Sequence, residues 1–218
     1  MKPSVVDLPF SLAELLDLGV FREVCEAFTQ SCGVGLRVFA ADGRALVPSP
    51  ESSPLCAALK QQNPAAERAC AAVLEQVSNQ TLSDSTAVQV NLYCGCRYAV
   101  FPLSLQFDVV GRVVLGPYRE GPWQPERLLQ TMPQMKAQVP ALRTAAGSVP
   151  ELEPERFKKQ VRFLAKVMDA FLFINAKRLV TTRLHLEAIL DMRNSMARGP
   201  EEDALLEKDE SGKAKGLF

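Results

Sequence analysis

The sequence predicts an α+β domain: one antiparallel sheet with helices packed against it, followed by a long C-terminal helix. Three observations point there. Apolar periodicity runs in the order helix, hairpin, two helices, then three strands. An Asp42-Gly43 pair separates two short alternating segments, the strongest short-range hairpin signal. From Pro154 to about Arg198 neither proline nor glycine interrupts more than forty residues.

Each element has a local reason. Residues 11–30 read as one amphipathic helix, with Ser11 and Glu14 forming a capping box and Leu12, Leu15, Leu16, Val20, Phe21, Val24 and Phe28 at helical spacing. Residues 34–40 alternate through Val34, Leu36, Val38 and Ala40, and after the turn 45–47 return as the partner strand. Two helices, 54–61 and 64–76, start at prolines and have Ala- and Leu-rich interiors. Strands follow at 87–93, 97–104 and 107–115, the last around Gly111. Residues 117–149, with Trp123, Pro125, Pro133 and Pro140, read as short helices broken by loops. In 154–198, Phe157, Val161, Leu164, Met168, Phe171 and Leu172 form an apolar stripe, which Leu179, Leu186, Ile189, Leu190 and Met196 continue with breaks in register. Such a helix is on the order of 60 Å long. Part of it is expected to pack on the sheet and part to project and pair with a second copy. The domain division is therefore 8–150 for the α+β body, 154–198 for the helix, and 199–218 for a polar, disordered tail.

Composition narrows the function classes. Of 218 residues, 47% are apolar and 23% charged, which suffices for a core. Lys+Arg and Asp+Glu balance at 25 each, without a polybasic run, so neither nucleic acid nor an anionic membrane is an expected partner. No apolar run approaches a bilayer span, and residues 1–10 do not read as a secretory signal. A cytoplasmic location follows as an expectation, and there the six cysteines are expected to stay reduced.

Four stretches carry a family resemblance. They are "TQSCGVGLRVFAADGRAL" (29–46), "SPLCAAL" (53–59), "ERACAAV" (67–73) and "YCGCRYAVFPLSLQFDVVGRVVLGPY" (93–118). Together with the opening helix, they resemble the PocR-type sensory domain, a PAS-like ligand-binding module of bacterial signalling proteins. Cys56, Cys70, Cys94, Pro102 and Gly111 fall on the family's corresponding places. The chain departs at Cys94-Gly95-Cys96-Arg97, where the family has Cys-His-Ala-Gly: the histidine is missing and Cys96 is an added sulfur. The resemblance implies a PAS-like antiparallel sheet with helices on one face, followed by a long C-terminal signalling helix. It also implies a cytosolic sensor of small organic molecules that acts on an attached or associated output element.

The candidate site is a hollow between sheet and helices, lined by Cys56, Cys70, Tyr93, Cys94, Arg97, Tyr98 and Phe101. Tyr93, Arg97 and Tyr98 would orient a ligand; alternatively the aromatics pack the sheet and Arg97 points to solvent. Free cysteine is among the most buried residue types, so packing or pocket lining is one reading of the sulfurs. Ligation of a metal by Cys56, Cys70, Cys94 and Cys96, as zinc or an iron–sulfur cluster, is a second, and redox sensing a third. The cofactor itself stays undetermined. Cys25 is expected to pack in the opening helix. Trp123 reads as a lid on the sheet edge, an anchor for the long helix, or an interface residue. His185, the sole histidine, sits far from every nucleophile, and no phosphate loop or zinc-protease motif occurs, so an enzyme is not expected.

The functional expectation is a non-catalytic bacterial signal-transduction sensor. It binds a small molecule, or reads a metal or redox state, and relays the change through a homodimer formed by 154–198 to a signalling protein in trans. The alternative is a ligand-free adaptor that regulates a kinase, small GTPase or polarity and motility partner by protein–protein contact.

Overall fold

The computed structural model describes residues 10–47, 53–63, 65, 68, 72, 88–91, 94–105 and 108–197. Two helices open the first unit, which spans Phe10–Asn175. They are α1, Leu12–Leu15, and α2, Leu18–Cys32. Ser11 and Glu14 form the expected capping box over α1. The single helix expected over 11–30 is broken, however, because Leu16 is extended and Asp17 starts a new helix by accepting from the backbone N–H groups of Gly19 and Val20. An aspartate at an N-cap satisfies donors that a continuing helix would have paired itself. Gly33 then ends α2 in the left-handed conformation.

The described strands are β1 (Leu36–Ala40), β2 (Ala45–Val47), β3 (Val88–Asn91), β4 (Arg97–Leu105) and β5 (Asp108–Tyr118). They form one antiparallel sheet in the order β2-β1-β5-β4-β3. The β1–β2 turn falls on Asp42-Gly43, as the sequence predicts. β5 runs three residues beyond the expected end at Leu115. Gly116-Pro117 reads as a stop, but here it is a register shift: Ala99 faces Leu115 while Arg97 faces Tyr118. Gly116 N–H leaves the β4 ladder and donates to Gly35 O.

Between β2 and β3 lies α3, Pro54–Gln62, with Ser53 as its cap. The helix expected at 64–76 falls largely outside the described residues; Ala65, Arg68 and Ala72 are helical. After β5 come α4 (Glu126–Thr131), a 3-10 segment (Pro133–Gln138) and α5 (Val139–Gly147), the broken short helices expected there. The last helix is α6, Pro154–Ala197. Glu153 starts it by accepting from Glu155 N–H at 2.9 Å and Arg156 N–H at 2.6 Å.

Pairing and alternation sort β4 and β5 into two faces, since residues opposite each other in a ladder share a face. One face carries Tyr98, Val100 and Val114. It packs with Leu55 and Leu59 of α3, Leu128 of α4, Met135 of the 3-10 segment, and Leu142 and Ala146 of α5. The α+β class and the long helix are as expected, with one addition: the opposite face is covered too. That face carries Leu36, Val38, Phe101, Leu103, Val113 and Leu115, all at most 2% exposed. Leu12 packs there against Gly111, and the Tyr118 ring lies 4.5 Å from that of Phe157 on α6. Phe157, Val161, Leu164, Met168 and Leu172 are the buried stripe of α6 in this unit, and Phe171 meets Phe21 of α2 edge-on at 6.5 Å. With both faces covered, β4 and β5 are buried nearly end to end, so their sequences read as apolar runs rather than strict alternation.

The second unit, described over residues 176–197, is helical throughout. Leu184, Leu186, Ile189, Leu190, Met192 and Met196 are exposed on it.

Candidate functional site

The site begins at the turn that feeds β4. Gly95 has φ +81, a left-handed conformation that glycine adopts without a Cβ penalty. A Cβ there would also sit 2.8 Å from the Gln124 carbonyl oxygen. Cys94 and Cys96 flank this glycine, both fully buried. Trp123 closes over them, its indole Nε1–H donating to Cys94 O at 2.7 Å. The loop carrying Trp123 is pinned by Arg119, which donates to Gly121 O at 3.0 Å and Val149 O at 3.2 Å and pairs with Glu151 at 3.4 Å.

Cys56 arrives from a different element. Ser53 and Pro54 start α3 so that Leu55 and Leu59 enter the core cluster holding Cys94, Cys96, Tyr98 and Trp123. Cys56 beside them is half-buried. The Cys94 thiol is held well above the ordinary range by its hydrogen bond with the Cys96 side chain, and then by burial. The neighbouring sulfurs of Cys96 and Cys56 add to this by opposing a further negative charge. Three sulfurs from two separate elements therefore share one neighbourhood.

The other predicted site residues divide. Tyr98 lies on the same face, 3% exposed, its ring against Gly116, where a Cβ would come within 2.9 Å of Arg97 O. Arg97 and Phe101 belong to the opposite face. Arg97 forms an ion pair with Glu120, and Phe101 sits opposite Val113 in the apolar core. Strand alternation separates them from Tyr98, so the expectation that all three line one hollow is corrected. Cys70 and Tyr93 lie outside the described residues. Among the described residues, no three Cys, His, Asp or Glu side chains converge as metal ligands. Trp123 packs in the core over the Cys94–Cys96 turn, among residues of β4, β5, α3, α4 and α5, which corrects its expected place at a sheet edge or on the long helix. His185 is exposed in the second unit. Cys25 is buried in α2, as expected, and burial, then the charge of Glu26, pushes its thiol up to about 12.

One residue escaped the sequence reading. Arg112 stands in the middle of β5, opposite Phe39 of β1 and Pro102 of β4. It is only 6% exposed, and its Nη1 has no hydrogen-bond partner among the described residues. The signal was a charged residue inside the apolar run "VVGRVVL" (109–115), where a core strand has no use for one.

No described helix is long and apolar enough to cross a membrane. Comparison with curated proteins finds no match. The family model for the sensory domain found in PocR matches residues 14–176 of the 218, from α1 through both sheet faces into α6. On that match over most of its length, the chain belongs to the PocR sensory-domain family.

Proposed function

We propose that the chain is a non-catalytic, cytoplasmic sensor that binds a small organic molecule at the face carrying Cys56, Cys94, Cys96 and Tyr98. The single observation that carries this reading is the gathering of sulfurs from α3 and the Cys94–Cys96 turn beside a buried tyrosine, inside a sensory domain. Sulfur is soft and polarizable, and a phenol offers one polar handle beside an apolar ring. A small, largely apolar ligand needs such surroundings. Output is proposed to pass through α6 to a second copy of the chain and a signalling partner in trans. Its support is apolar surface on residues 176–197 of α6: Leu186 is 55%, Ile189 56% and Leu190 55% exposed, more than a solvated helix face requires. A ligand that favours one arrangement of the helices would bias the pair toward it.

The sole tryptophan gives a direct test, because Trp123 bonds to Cys94 itself. Titration with short alcohols, diols and carboxylates should change Trp123 emission saturably for at least one probe. Cys56→Phe, which fills the half-buried side of the cluster, should abolish that change while leaving the unfolding midpoint within a few degrees. A flat response to every probe, or an unaltered response in Cys56→Phe, counts against the site. In the same preparations, light scattering should show a dimer that Leu186→Glu with Leu190→Glu converts to monomer; a monomeric wild type removes the proposed output.

A further inference from the structure

We infer that the ligand of this site is a small monocarboxylate, and that Arg112 is the group that holds its carboxylate. This deepens the sensor reading and rests on it.

The observation is a cation only 6% exposed, its Nη1 buried and with no counter-charge beside it among the described residues. Arg112 makes no ion pair and no side-chain hydrogen bond among the described residues. Its charge does not disappear on burial, since an arginine side chain stays protonated in proteins. A charge withdrawn from water without a partner is costly, so folded proteins pair such groups or neutralise them. The next residue along its face, Val114, is a buried aliphatic, and a methionine would fill the length of Arg112 without a charge.

Its position connects it to the sulfurs. Arg112 pairs with Pro102 and Val114 pairs with Val100, so Arg112 shares the face of Tyr98, Val100 and Val114. It stands one step from Val114 on that face, about 7 Å along the strand. Phe39, its partner on β1, packs against the same cluster. Among the described residues β3 pairs with β4 up to Val100, and Pro102 pairs with Arg112 itself. A ligand beside Arg112 would therefore meet Phe39 and Pro102, with Val100 the next side chain along the face toward Tyr98, an apolar wall with one cation.

That chemistry selects the ligand class. A guanidinium presents its donors in a planar fork that matches a carboxylate two bonds at a time. One cation in apolar surroundings suits a single negative charge with a hydrocarbon tail. A phosphate dianion calls for more positive charge than Arg112 supplies. A neutral alcohol or diol would leave the buried guanidinium without its counter-charge.

The test uses the full chain, with sodium butyrate, 1-butanol and sodium phosphate as probes against sodium chloride at equal ionic strength. Butyrate should raise the melting temperature saturably, with 1-butanol and phosphate giving much smaller shifts. Arg112→Lys, which keeps the charge and loses the fork, should weaken the butyrate response at least tenfold. Arg112→Met should remove it, and should melt no lower than the wild type without ligand, because no pairing is lost. A response to 1-butanol but not to butyrate would leave the small-ligand site standing and overturn the carboxylate. Equal effects of phosphate and butyrate, or a butyrate response retained in Arg112→Met, overturn it as well. If no probe shifts the wild type, the inference and the small-ligand reading fall together for this chemistry. Should Arg112→Met not fold, Arg112 is structural, and the inference is overturned unless the wild type still prefers butyrate and Arg112→Lys still weakens it.

Discussion

Val100 and Phe101 are neighbours on β4, yet they look into different surroundings. Phe101 joins Leu36, Val38, Leu103, Val113 and Leu115 in a face closed by the N-terminal helices and the first part of α6. Val100 joins Tyr98 and Val114 in a face that also holds three sulfurs, the one indole and a cation with no counter-charge among the described residues. The first face is what a chain builds for stability: side chains whose removal from water is favourable on its own. The second adds to its apolar packing groups that burial alone does not favour, the cation above all, and a fold retains such groups where something else must bind. The same two strands supply both faces, so the division costs no extra element.

The sharpest way to break this comparison is to truncate the stable face. Phe101→Ala should destabilise the chain by about 3–5 kcal/mol, since it removes a fully buried ring and leaves a cavity. Urea unfolding measures this directly. A loss below about 1 kcal/mol would show that the Phe101 side can collapse or was never closely packed. The butyrate response of the fraction still folded should survive, because the ring faces away from Arg112.

The next effect comes from alkali, and both faces contribute. In the fold the Cys25 thiol ionises only at about 12, against an ordinary 9.0, because burial and then Glu26 oppose the charge. Raising the pH through this window deprotonates the unfolded chain first, so stability is complete below about pH 9 and falls as pH rises toward 12. One such group costs about 1.4 kcal/mol per pH unit, or roughly 2 kcal/mol by pH 10.5. Cys94, shifted the same way, adds a second fall on the sulfur-bearing side. Unfolding free energies under reducing conditions from pH 8 to 10.5 should therefore drop more gently in Cys25→Ala, and more gently again in Cys25→Ala with Cys94→Ala. Curves as steep as the wild type would mean that these thiols ionise as readily folded as unfolded.

The sequence showed the elements more fully than it showed the faces. The capping box at Ser11, the Asp42-Gly43 turn and the uninterrupted stretch after Pro154 act through neighbouring backbone, so local residues declared them. The break at Asp17 was equally local, but it hid inside a pattern whose apolar spacing continued across it. The end of β5 was placed at residue 115, but the pairing with β4 continues past Gly116-Pro117 with a register shift. The site was half legible. The spacing of Cys94 and Cys96 and the family resemblance brought the sulfurs forward, whereas Tyr98 and Phe101, three residues apart on one strand, fall on different faces by alternation, which the nearly continuous apolar run of β4 obscured. Arg112 was visible as an anomaly in "VVGRVVL", but its lack of a partner among the described residues depends on segments far apart in the chain.

The smallest effect separates the faces by chemistry rather than stability. Trp123→Phe keeps a ring over the Cys94–Cys96 turn and removes only the N–H that donates to Cys94 O. The carbonyl is then buried without that donor, a loss of about 1–2 kcal/mol. The loosening should be local, because Gly95 touches the indole and the Gln124 backbone while Cys25 lies in α2 behind the opposite face. In the folded variant, Cys94 and Cys96 should therefore react several-fold faster with a disulfide reagent such as dithionitrobenzoate, and Cys25 should react at its wild-type rate. Mass spectrometry of the labelled thiols assigns each rate. Equal acceleration at Cys25 would mean that the indole holds the whole domain together rather than one face of it, and the functional division between the faces would lose its physical basis.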